Sequence, residues 1–330
     1  LVPDITAGGT GTPGPDQVGQ WSAPANWSQA PIHLILQPSG EVLMFDEEDG
    51  GLSAQLWNPA TNAFTAVPNT STNLFCAGHS LLADGRTIVI GGHLGPNFYG
   101  LPDTNLFDPT SRAWTRVANM AYPRWYPTST TLPDGRVLAI SGWITTQALA
   151  DTPEVYDPAT NLWTALTAAT RYNPMYSFMF VAPDGAVFNA GPDIPTRKLD
   201  VAAQTWTNMG SSLITGHSAV MYSPGRVMKS GTLGDPDYPL PAVDARAVVI
   251  DLNQPAPAWR EVAPMAAPRS YHSLVLLPDG AVLAVGGERT TAGNNVSQAV
   301  YTTELWSPQT ETWTTLASIQ RPRLYHSTAL

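Results

Sequence analysis

The sequence predicts an all-β chain folded as a β-propeller, and three observations carry that expectation. A turn phrase recurs around a glycine, most clearly as Leu132-Pro133-Asp134-Gly135-Arg136-Val137-Leu138 and Leu277-Pro278-Asp279-Gly280-Ala281-Val282-Leu283, with relatives at Asp84-Gly85, Asp184-Gly185, Ser39-Gly40 and Pro224-Gly225. These glycines are spaced 45, 50, 50, 40 and 55 residues apart, a period expected of propeller blades. Inside each period an aromatic follows a second turn: Phe64 after Asn58-Pro59, Trp114 after Asp108-Pro109, Trp163 after Asp157-Pro158 and Trp313 after Ser307-Pro308, with Trp206 and Trp259 in two weaker copies.

Each period reads as four short strands. Runs such as Arg136-Val137-Leu138-Ala139-Ile140 are apolar and bounded by Asp-Gly and Ser-Gly, the pattern of a buried strand. Asp-Gly between two such runs signals a hairpin, because glycine accepts positive φ without steric cost. The second turn makes another hairpin, whose tryptophan is expected to pack between neighbouring sheets. No stretch shows sustained helical periodicity. Blades are expected to start near residues 21, 74, 123, 171, 212, 267 and 321, after a flexible lead-in over 1–20. The last of these, Arg321-Pro322-Arg323-Leu324-Tyr325-His326-Ser327, mirrors Ala267-Pro268-Arg269-Ser270-Tyr271-His272-Ser273 and places Tyr325 in the slot of Tyr271. The expectation is a seven-bladed, kelch-type propeller whose last blade is incomplete in this chain, leaving a pairing edge that proteins normally protect.

At 330 residues the chain is long enough for such a propeller as one domain, over 21–330. A net charge of −10 without a basic patch argues against nucleic acid or an anionic membrane as partner. No run of eighteen apolar residues suggests a spanning helix. Cys76 is the only cysteine, which excludes an internal disulfide framework. The acidic balance and low lysine content fit a secreted, monomeric protein; the segment from Leu1 lacks the pattern of a signal peptide. Asn26-Trp27-Ser28, Asn69-Thr70-Ser71 and Asn295-Val296-Ser297 match N-glycosylation acceptors.

Counting nine residues back from each glycine gives Pro31, Cys76, Tyr126, Tyr176, Gly216 and Tyr271. Equivalent slots in successive blades lie on a ring about the propeller axis, so chemistry at these slots converges. Cys76 and Tyr126 come from adjacent blades, and Tyr325 with His326 returns beside them from the closing blade. Imidazole and phenolate oxygen suit copper, whose divalent form takes tetragonal nitrogen and oxygen donors. Tyr176 and Tyr271 read as packing residues at strand starts, and His217 as a satisfied channel histidine.

The segments Phe75-Cys76-Ala77, Arg124-Trp125-Tyr126-Pro127 and Leu324-Tyr325-His326-Ser327 resemble the galactose oxidase and glyoxal oxidase family of copper radical oxidases, over about Trp21 to Leu330. The resemblance implies a thioether cross-link between Cys76 and Tyr126, which forms a Cys-Tyr radical cofactor. It implies Tyr126, Tyr325 and His326 as copper ligands, with Tyr325 as the base for the substrate hydroxyl. It assigns Trp143 the place of a tryptophan over the cross-linked tyrosine, one residue out of step, and Tyr238 a substrate contact. The implied reaction is two-electron oxidation of a primary alcohol, aldehyde or carbohydrate, with O2 reduced to hydrogen peroxide.

Three departures accompany the likeness. The family's second histidine ligand lies in a C-terminal β domain that this sequence does not contain, and His33, His79, His93, His217 and His272 do not match its motif. The region of the family's sugar-binding arginine reads Arg171-Tyr172-Asn173-Pro174, and Pro239 follows Tyr238 where the family has glutamine. A small alcohol or aldehyde is therefore expected at least as much as galactose. The competing expectation is a non-catalytic kelch-type propeller that binds a glycan or protein through its loops.

Overall fold

The computed structural model describes residues 14–46, 51–95, 99–232 and 243–330. Among these residues the chain forms six four-stranded antiparallel sheets, each with consecutive strands in order. Blade 1 pairs His33–Leu36, Val42–Phe45, Gln55–Asn58 and Ala63–Ala66. Blade 2 uses Gly78–Leu81, Thr87–Ile90, Thr104–Asp108 and Ala113–Arg116; blade 3 uses Thr128–Thr131, Val137–Ile140, Glu154–Asp157 and Leu162–Ala165. Blades 4, 5 and 6 open with Met179–Val181, Ser218–Ser223 and Ser270–Leu276 and close with Thr205–Ser211, Arg260–Val262 and Thr312–Ser318. The glycine turns join first to second strands, and Gly40, Gly85, Gly135, Gly185, Gly225 and Gly280 all take positive φ there.

First strands of neighbouring blades approach one another and so line the axis. Second strands such as Val42–Phe45, Thr87–Ile90 and Val137–Ile140 are buried along their whole length, which explains their unbroken apolar sequence. The core lies in layers between blades. Leu43, Phe45 and Leu56 of blade 1 pack on Val89 and Phe107 of blade 2, and Ile88, Ile90 and Leu106 pack on Val137, Ala139 and Tyr156 of blade 3. The tryptophans do pack between sheets, and each indole Nε1 donates to the preceding blade: Trp114 to Val67 O, Trp163 to Ala118 O, Trp206 to Ala169 O, Trp259 to Thr196 Oγ1 and Trp313 to Ala263 O.

Residues 319–330 form no strand. They run between blades 6 and 1: Leu324 is buried, the Gly287 N–H donates to Arg323 O, and Thr328 Oγ1 donates to Pro31 O. At the other terminus, Trp21 Nε1 donates to Ala317 O on the last strand of blade 6. Asn69 is buried, with its amide nitrogen donating to Asn105 and its oxygen capping Ser71 and Thr72. It is thus inaccessible to a glycosylating enzyme, unlike the exposed Asn26 and half-buried Asn295.

Candidate active site

The slot nine residues before each glycine is a sharp left-handed turn. Cys76 (φ 54°), Tyr126 (64°), Tyr176 (47°), Gly216 (58°) and Tyr271 (54°) share it in blades 2 to 6. Only glycine takes this conformation freely; for other residues it costs about 1–2 kcal/mol, and such outliers gather at functional sites. The slots are threaded together through the backbone. The Cys76 N–H donates to His33 Nε2 (3.1 Å), the Tyr126 N–H to Cys76 O (2.9 Å) and the Tyr176 N–H to Tyr126 O (3.0 Å).

In the C-terminal segment the left-handed residue is His326 (φ 66°), not Tyr325. The Ser327 N–H to Leu324 O bond there repeats the Ala77 N–H to Leu74 O bond of blade 2. By backbone geometry His326 thus occupies the Cys76 slot, one position later than the sequence alignment of Tyr325 with Tyr271. The alignment followed side-chain identity, whereas the turn follows where the backbone reverses.

Four residues singled out in the sequence meet here. The hydroxyls of Tyr126 and Tyr325 are 2.8 Å apart, and Cys76 Sγ lies 3.9 Å from His326 Nε2. The Tyr325 ring stacks on His326 (centroids 3.9 Å, 27°) and meets Tyr271 edge-on at 5.2 Å. Cys76 is 1% exposed, in an aromatic cluster with Phe75, Trp125, Tyr126, Trp143 and Tyr176. Trp143 enters that cluster through Trp125 (5.5 Å), with which it exchanges two backbone hydrogen bonds. The rings against Tyr126 are Trp125 at 4.4 Å and Tyr176 at 4.9 Å, 79°.

A cavity of about 420 Å³ opens along the axis beside these groups, lined by His33, Cys76, His79, Tyr176, Tyr325 and His326 among others. Tyr176, read from sequence as packing, is therefore part of the site. Its signal was present in the shared slot, but no motif set it apart. His272 and His217 lie elsewhere: His272 is buried against Ser230 Oγ (2.8 Å), and His217 Nδ1 accepts the Tyr271 N–H. Arg171 is turned over the Trp206 ring at 5.6 Å. Tyr238 lies outside the described residues.

Burial, with the Cys76 thiol and Tyr325 beside it, pushes the Tyr126 phenol far above its usual range. Burial likewise raises Tyr176 and, with His79 and His326 nearby, drives His33 well below 6.5. The Tyr126 phenol thus stays protonated unless a cation is present, since a coordinated metal inverts the local pKa order. Among the described residues no three His, Cys, Asp or Glu side chains are grouped to hold a metal. Tyr126, Tyr325 and His326 offer two phenols and one imidazole, and this oxygen and nitrogen set fits copper(II).

Comparison with known proteins agrees with the likeness read from the motifs. No family model matches the chain. Two galactose oxidases of Gibberella zeae are each 28% identical to it over 353 residues, covering 95% of this chain and 50% of theirs. The chain thus spans about half the length of the curated relatives it matches. A solved fungal alcohol oxidase, described as having catalytic diversity among the AA5 family and in complex with copper, is 26% identical with a TM-score of 0.81, covering 94% of this chain and 70% of that one. The structure of YjhT, 14% identical with a TM-score of 0.57 over 79% of this chain and 88% of that one, shares the fold alone.

Proposed function

We propose that this chain is the propeller of a copper radical oxidase that converts a primary alcohol or aldehyde while reducing O2 to hydrogen peroxide. The observation that carries the reading is the 2.8 Å approach of the Tyr126 and Tyr325 hydroxyls beside Cys76 and His326. Tyr126, Tyr325 and His326 are the residues that would hold the ion. Bound copper would supply a one-electron acceptor and the positive charge that lets a buried phenol ionise.

Cys76 and Tyr126 are the partners of the thioether. Forming the C–S bond removes the thiol hydrogen and one ring hydrogen, and their two electrons and two protons reduce O2 to hydrogen peroxide. Tyr325, 38% exposed, is the tyrosine a substrate hydroxyl can reach, and as the phenolate that a bound copper ion would favour it would accept that proton. Oxidised Tyr126 then removes a hydrogen atom from the adjoining carbon. Trp125, Tyr176 and, one ring further out, Trp143 exclude water from the oxidised ring. Overall an alcohol loses two hydrogens and O2 gains them. Because Arg171 faces Trp206, a small alcohol or aldehyde is the better-supported substrate class than galactose. We read the protein as secreted and monomeric. We also read 321–330 as the start of a seventh blade, because its turn repeats that of blade 2.

Mass spectrometry after aerobic copper loading tests the reading. The expected product is a peptide pair joined through Cys76 and Tyr126, lighter by two hydrogen atoms than the separate peptides. Recovery of only unmodified Cys76 peptide would sink it and favour a non-catalytic binding propeller, for which Cys76→Ser and Tyr126→Phe are silent.

A further inference from the structure

We propose that Arg124 is a positioning residue that sets the pocket around Cys76 and Tyr126, an inference that rests on the cross-link reading above. Arg124 and Glu154 are wholly buried and form an ion pair at 2.9 Å. The guanidinium also donates to the carbonyls of Ser141 (2.7 Å), Ala150 (3.2 Å) and Thr152 (2.6 Å). Those carbonyls bracket the ribbon Trp143–Thr145/Ala148–Leu149. The Arg124 backbone ties a second ribbon, His93–Leu94/Tyr99–Gly100: its N–H donates to Leu101 O (2.9 Å) and its carbonyl accepts the Gly92 N–H (3.0 Å). The next two residues are Trp125 and Tyr126. One residue thus fixes, relative to each other, the ribbons that carry His93 and Trp143 and the turn that carries Tyr126.

The simpler account is that the pair only stabilises blade 3. Blade 5 argues against it. Counting eleven residues back from each glycine, the position of Arg124 is Leu74 in blade 2 and Ile214 in blade 5, both wholly buried. Glu154 faces Ala139 across the sheet, and Val248 faces Lys229 at the same register in blade 5. Blade 5 therefore closes with apolar residues at both places, while the buried Lys229 opposite Val248 donates to Ala190 O, Asp193 O and Ser212 Oγ. A buried ion pair is in general no more stabilising than apolar residues of similar volume. What an isoleucine cannot do is grip three carbonyls that flank a neighbouring ribbon. Blade 6 supplies a matched control: Arg269 and Glu304 form the same buried pair, with Arg269 also bound to Gly286 O and Thr302 O, beneath Tyr271.

The test uses the copper-free chain and its single thiol, which is 1% exposed. The variant Arg124→Ile with Glu154→Val takes the residues of blade 5 at these two positions, and Arg269→Ile with Glu304→Val is the control. The rate at which an aromatic disulfide reagent modifies Cys76 is measured below the melting transition of all three proteins. Local opening of the pocket raises that rate at least about tenfold in the blade 3 variant over the control, and the yield of cross-linked peptide after copper loading falls with it. Equal labelling rates in the two variants overturn the proposal and leave Arg124 a stabilising residue. If wild type forms no cross-link, the oxidase reading fails while the thiol comparison still decides the role of Arg124. Should the double variant not fold, Glu154→Gln, which keeps an acceptor for the Ala121 N–H, is read in the same way.

Discussion

Lowering the pH destabilises the copper-free propeller through its histidines. His79 and His217 are both held at about 4 by burial, against 6.5 for an exposed ring. His33 and His272 lie well below 6.5 for the same leading cause. Between about pH 4 and 6.5 the unfolded chain binds protons at these rings that the folded chain does not, so stability is complete above 6.5 and falls as the pH drops through that window. One ring displaced from 6.5 to 4 loses about 2.5 kcal/mol by pH ~4.5, or about 2 kcal/mol once partial solvent access to His79 and His217 is counted. An unfolding entropy of about 0.7 kcal/mol/K for a chain of this length converts that to about 3 °C per histidine. Thermal melts followed by circular dichroism between about pH 8 and 4.5 should show Tm falling by about 6 °C or more from these rings, ahead of most carboxylate titration. His217→Gln should remove about 3 °C of that fall. A Tm unchanged over the window, or a variant with the full wild-type slope, refutes the argument.

Other perturbations have equally direct outcomes. Leu74→Ala empties a fully buried site between blades 1 and 2 and should cost about 3–5 kcal/mol in chemical denaturation. Gly91→Ala would place a Cβ 2.3 Å from Arg124 O at φ +76°, whereas Gly135→Ala has φ +85° but nothing within 4 Å. The first should therefore cost well over the roughly 1–2 kcal/mol of left-handed strain that the second incurs, and equal melting temperatures would contradict the packing. Arg86→Ala, which removes a pair whose side chains are 36% and 51% exposed, should change stability by less than about 1 kcal/mol.

Much of the propeller was legible because its turns are written in backbone chemistry. A glycine that must take positive φ between apolar runs marks a hairpin wherever it recurs, and the trailing tryptophan marks the outer strand. The meeting of Cys76 and Tyr126 with the Tyr325–His326 pair was legible for a related reason, since equal register places residues on one ring, although it is His326 and not Tyr325 that takes the shared slot. What escaped the sequence depends on three-dimensional reach. Tyr176 shares its slot with Tyr271 and Gly216 as well as with Cys76 and Tyr126, so its approach to Tyr126 and the cavity is what distinguishes it. Arg124 opens a recognisable motif, yet its role depends on carbonyls up to 28 residues away. Trp143 meets Tyr126 through Trp125, with which it forms an antiparallel bridge and a ring contact.

The tryptophan bonds between sheets also bear on how the ring is built during synthesis. Each indole on an outer strand reaches a backbone or hydroxyl acceptor in the blade before it, never the one after. As the chain emerges from the ribosome, each new blade meets a docking partner that has already been made, and domains made N-terminal first can fold in that order. Blade 1 carries Phe64 at this place, a ring with no N–H to leave unsatisfied, packed on Trp27. Of the four residues that meet at the site, Tyr325 and His326 come latest in the chain, so the approach of the Tyr126 and Tyr325 hydroxyls has to wait for the segment that bears them.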